Sequence, residues 1–93
     1  MPKIAIYKQF IFFVYMHDLL NEPPHLHVVK NKSFANDAKI WIETMLWAET
    51  GDLSAQEQNL IEKLVRQNRF QLLNAWNRGK KGEKIETLKL TLL

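Results

Sequence analysis

Phe10-Ile11-Phe12-Phe13-Val14-Tyr15-Met16 is apolar at every position, and all but Met16 are aromatic or β-branched. Such residues fit a pleated, packed strand better than a helix. Successive strand side chains point to opposite faces, and here both sets are apolar. A place in the middle of a sheet is therefore expected, with cover on both faces or a partner chain on one. Ile4-Ala5-Ile6-Tyr7 precedes it, joined by Lys8-Gln9, which suits a short hairpin connection.

Working outward, a polar link from Asp18 to Pro24 returns the chain into a strand from His25 to Lys30. Asn31-Lys32-Ser33 reads as a turn, Ala38 to Glu43 as a fourth strand, and Met45 to Ala48 as a fifth; Thr50-Gly51-Asp52 closes this strand-rich part, residues 1–50. Ser54-Ala55-Gln56-Glu57 is a capping box, so a helix starts there. Leu60, Ile61, Leu64, Val65, Leu72, Leu73 and Trp76 continue at helical spacing to about residue 78, with Gly79 as the expected stop. That interval is long for a small domain, which leaves open a break near Asn68-Arg69-Phe70 into two helices. In residues 84–93, Leu88, Leu90 and Leu92 alternate with polar residues as a terminal strand or an apolar tail. The expectation is one α+β domain over residues 1–93: a mostly antiparallel sheet of four to six strands, packed against one long or broken helix.

Composition narrows the function classes. The 93 residues are 46% apolar, enough for one modest core. With no cysteine, disulfides, thiolate metal sites and thiol nucleophiles are excluded, in keeping with a reducing compartment. The longest apolar run falls far short of the roughly 20 residues a membrane helix needs, and no charged-then-apolar leader is apparent. A soluble, unprocessed, cytoplasmic protein is expected, with no membrane partner. The charge is uneven. Residues 1–53 hold five Lys/Arg against six Asp/Glu, whereas residues 54–93 hold eight against four. Arg66, Arg69, Arg78, Lys80 and Lys81, with Lys84, can form a stripe facing phosphate or an acidic protein, or a solvated helix face.

All three histidines fall within eleven residues: His17, His25 and His27, the last two in Glu22-Pro23-Pro24-His25-Leu26-His27-Val28. The prolines stiffen the chain into an extended entry, and a two-residue period then projects His25 and His27 to one face. If the strands before and after the link pair antiparallel, His17 falls near His25 across the hairpin and three imidazoles gather at one end of the sheet. Trp41, Trp47 and Trp76 are expected as core or interface anchors.

These residues resemble a small bacterial family, the domain-of-unknown-function family numbered 4160. The resemblance rests on Met1-Pro2-Lys3-Ile4, on Pro23, Pro24, His25, His27 and Val28, and on Asn68-Arg69 and Trp76-Asn77-Arg78. Members of that family are often encoded beside another uncharacterised family, numbered 2442, in arrangements like toxin–antitoxin pairs. The resemblance therefore implies a cognate protein partner. It carries no catalytic assignment.

Three readings of the histidines compete. In the toxin-like reading, His25 and His27 serve as general base and acid in RNA cleavage, with His17 nearby and Arg69 or Arg78 stabilising phosphate charge; no cofactor is required. In the metal reading, His17, His25 and His27 hold zinc or a similar divalent ion, completed by Asp18, Glu22 or Glu43. In the third, the imidazoles fix the backbone by hydrogen bonds, and the protein is a non-catalytic partner-binding module or an antitoxin-side protein. The toxin-like reading is the leading expectation from sequence.

Overall fold

The computed structural model describes residues 3–93. Six strands and three helices follow in the order β1 (Lys3–Tyr7), β2 (Phe10–Phe13), α1 (Met16–Asn21), β3 (His25–Lys30), β4 (Ala38–Trp41), β5 (Trp47–Glu49), α2 (Ala55–Gln67), α3 (Arg69–Lys80) and β6 (Leu88–Lys89). The strands form one sheet in the order β5-β4-β3-β2-β1-β6, antiparallel throughout except for the parallel β1–β6 pair at one edge. This is an α+β fold.

The strand built around Phe10 to Phe13 is interior, between β1 and β3, as its two apolar faces require. Cross-strand partners share a face, so the register sorts the sheet into two sides. Phe12, Val28 and Ala38 lie in one row, joined by Leu26 and Ile40, and this side packs on Ile61, Leu64, Leu72 and Trp76 of α2 and α3. His27 lies in a row with Phe13 and Lys39 on the opposite side, and His25 pairs with Trp41. Phe13 and Val29 of that side are also buried.

Four expectations about the first half are corrected. The strand ends at Phe13 rather than Met16, and the link after it is not a loop: Met16–Asn21 is the short helix α1, entered through an extended Tyr15. Its Asp18 and Leu19 turn inward, while Met16 and Leu20 remain 59% and 71% exposed. A one-and-a-half-turn helix of this length has no independent stability, so its inward contacts hold it. The fourth strand likewise stops at Trp41, and the fifth is shifted to Trp47–Glu49, because a turn with Met45 at φ 64° separates them.

The capping box forms as read: Glu57 N donates to Ser54 Oγ at 3.1 Å and Ser54 N to Glu57 Oε1 at 2.9 Å. The helical interval breaks at Asn68. That residue is buried, its side-chain amide donating to Leu64 O at 2.8 Å and to Thr91 O at 2.9 Å, so it ties the break to the segment that follows β6. Gly79 is not the stop, since α3 runs through Lys80. A Cβ at Gly79 would come within 2.7 Å of Ile85 Cδ1 and 3.2 Å of Leu19 Cδ1; its lack of a side chain is what lets α1 seat against α3. The left-handed turn after the helix falls instead on Gly82, at φ 79°.

Candidate functional site

Where β3 begins, the extended Pro23-Pro24 entry and the strand period place His25 and His27 on the same side of the sheet. Opposite them, α1 carries Asp18 inward. A single oxygen, Asp18 Oδ2, lies 3.0 Å from His25 Nε2 and 3.1 Å from His27 Nε2. The remaining ring nitrogens are also engaged: His25 Nδ1 donates to Pro23 O at 3.0 Å, and His27 Nδ1 donates to Asp37 Oδ2 at 2.7 Å. Burial is nearly complete, with 0% exposure for His25, 8% for His27 and 4% for Asp18. The Trp41 and Trp76 rings lie 5.4 and 5.0 Å from the His25 ring, while Phe13 stacks on His27 at 5.4 Å and Tyr15 meets it edge-on at 4.6 Å.

Proton bookkeeping follows from these partners. A carbonyl or carboxylate oxygen accepts only, so both Nδ1 atoms must carry hydrogen. Each Nε2 lies within hydrogen-bond distance of the same Asp18 oxygen. Burial pushes the Asp18 carboxyl up, but the hydrogen bonds from His27 and His25 and the charges of His25 and His17 outweigh it and hold it below the ordinary carboxylate range. The same burial, with the charges of Asp37 and Asp18, raises the Tyr15 phenol above its ordinary value.

His17 is not the third member that a hairpin loop would make it. On the outer side of α1, with its side chain 77% exposed, it contacts the other Asp18 oxygen, Oδ1, at 3.0 Å. The three imidazoles do converge on one carboxylate, yet from two sides: two from within and one from solvent. Glu22 stands at 4.0 Å from His25 Nδ1 and pairs with Lys39, whereas Glu43 is exposed. Asp37, which orients His27, was not singled out in the sequence; its position just before β4 acquires meaning only once Lys39 is known to pair with His27.

The basic residues are elsewhere. Arg66 lies in the last turn of α2 and Arg69 begins α3, while Arg78, Lys80 and Lys81 sit at the other end of α3. Eleven helical residues separate Arg69 from Lys80 by about 16 Å, so the five form two groups rather than one stripe. Arg78 lies 3.9 Å from Glu83, and Arg69 Nε is buried without a hydrogen-bond partner. Among the described residues, no hydrogen bond or ion pair links Arg66, Arg69, Arg78, Lys80 or Lys81 to a histidine.

Comparison with protein families sets the cluster in context. The family described as Domain of unknown function (DUF4160) matches residues 10–77. The chain belongs to this family. The matched segment runs from β2 almost to the end of α3 and includes Asp18, His25, His27 and Asp37; Arg78, Lys80 and Lys81 fall beyond it. The opening Met1-Pro2 of the family-like pattern lies outside the described residues. No curated protein and no solved structure shows significant similarity to the chain.

Proposed function

We propose that this protein is a non-catalytic partner-binding module, the histidine motif serving as the clamp that presents its binding surface. The observation that carries this reading is the use Asp18 makes of α1. The carboxylate locks the helix to His25 and His27, and the same helix turns Met16 and Leu20 out to solvent. Large apolar side chains held outward on a fixed element suit association with another protein. Beside the histidines, Pro23, Pro24, Trp41 and Leu46 line an apolar groove of about 350 Å³, with Leu46 64% exposed. The partner expected from the family resemblance is the protein encoded beside the gene, similar to family 2442, in a toxin–antitoxin-like pair.

Burial supports this reading over an RNA-cleaving toxin. General acid–base catalysis needs a ring nitrogen within hydrogen-bond reach of the substrate. In His25 and His27 every ring nitrogen is already engaged within the protein. Co-purification with the neighbouring gene product tests the proposal: a stable complex is expected, lost in Leu20→Glu or Leu46→Glu with an unchanged melting temperature. Purified protein should leave RNA intact. RNA cleavage abolished by His27→Gln would instead establish the catalytic alternative.

A further inference from the structure

We infer that Asp18, His25 and His27 form a binding site for one divalent borderline metal ion of the zinc class, independently of the partner-binding reading. One ligand atom from each of the three residues lies within 4.8 Å of the others. The separations of Asp18 Oδ2 from His25 Nε2 and His27 Nε2, 3.0 and 3.1 Å, are close to the spacing of about 3.3 Å between donors that tetrahedral bonds of about 2.0 Å impose. Small outward shifts of the three groups would admit an ion. Two imidazoles with one carboxylate, and no thiolate, suit Zn²⁺ or Co²⁺ more than a hard, oxygen-preferring cation such as Mg²⁺ or Ca²⁺.

The second ring nitrogens provide a separate argument. A metal-binding histidine characteristically donates its other N–H to a carbonyl or carboxylate, which fixes the tautomer and aims the free nitrogen at the ion. Both rings do this: His25 Nδ1 to Pro23 O, and His27 Nδ1 to Asp37 Oδ2. The two Nε2 atoms thus converge on the Asp18 carboxylate from rings already oriented as ligands. His17 is outside the set, exposed on the far oxygen of Asp18, so the site differs from a three-histidine centre. Three protein ligands leave a position for water.

Titration of chelator-treated full-length protein with Zn²⁺, followed calorimetrically, and with Co²⁺, followed by its visible d–d absorption, tests the inference. Expected are one ion per chain and a Co²⁺ spectrum of a low-coordinate nitrogen–oxygen site. His27→Gln should abolish binding. Asp37→Ala, which keeps all three ligands but releases the His27 ring, should weaken it by about 10- to 100-fold. His17→Gln, which removes only an exposed contact to the far oxygen of Asp18, should weaken it less than Asp37→Ala does. Should His27→Gln fail to fold, the wild-type stoichiometry and the contrast between Asp37→Ala and His17→Gln still decide. Absence of stoichiometric binding to the wild type overturns the site and leaves the cluster a purely hydrogen-bonded one. Loss of binding in His17→Gln with retention in Asp37→Ala overturns it equally, by assigning the ion to the exposed imidazole.

Discussion

Two polar constellations hold this molecule together, and they differ in how far along the chain they reach. At the start of α2, Ser54 and Glu57 satisfy each other's backbone amides three residues apart. At the start of β3, Asp18, His25, His27 and Asp37 span twenty residues and join α1, β3 and the loop before β4. The first is partly solvated and stabilises one helix end. The second is buried, and its loss frees several elements at once. A local cap contributes modestly because water can replace it, whereas a buried charged network has no such substitute.

The sharpest test of that contrast is Asp18→Asn. It replaces the buried carboxylate on which both rings converge by an uncharged amide, and removing one partner of a buried ionic network costs about 3–5 kcal/mol. For a domain of this size the melting temperature should fall by at least about 12 °C. A loss no larger than that of Ser54→Ala would erase the distinction. His25→Gln comes next, at about 1–3 kcal/mol for unmade buried hydrogen bonds, read from the same thermal or urea unfolding curves. Asn68→Ala should cost about 1 kcal/mol by severing the amide's bonds to Leu64 O and Thr91 O, with hydrogen exchange accelerated in the C-terminal segment around Thr91. Ser54→Ala should also cost about 1 kcal/mol, but with faster exchange confined to the first turn of α2.

The smallest effect concerns pH. Hydrogen bonds from the Ser54 amide and from Lys30 hold the Glu57 carboxyl below its ordinary value despite partial burial, so the folded state binds its proton less readily than the unfolded chain. Its contribution is complete above the unfolded pKa and disappears as the pH falls through the lower folded value. Glu57→Gln should therefore flatten the acid side of a stability–pH profile while lowering stability slightly at neutral pH. An unchanged acid limb would remove Glu57 from the linkage.

Much of the fold could be read along the chain because its causes are local. Apolar Phe10 to Met16 marked the interior strand, although it ends at Phe13, the capping box located the start of α2, and the length of the helical interval left open the break that the structure places at Asn68. The failures have a common origin. Nothing in Met16–Asn21 compels a helix, as six residues carry too little propensity to form one alone; Asp18 and Leu19 form it by reaching the sheet and α3. Gly79 looked like a C-cap in one dimension, but in three its missing Cβ makes room for Leu19 and Ile85.

The candidate site divides along the same line. His25 and His27 on one face follow from proline stiffness and the two-residue strand period, which are properties of consecutive residues. The inward placement of Asp18, the outward placement of His17, the recruitment of Asp37 and the separation of the arginines from the histidines arise from packing between distant segments. Backbone periodicity determines which way a side chain leaves its own strand or helix. Only the burial of whole faces against one another determines which polar groups must then satisfy each other away from water.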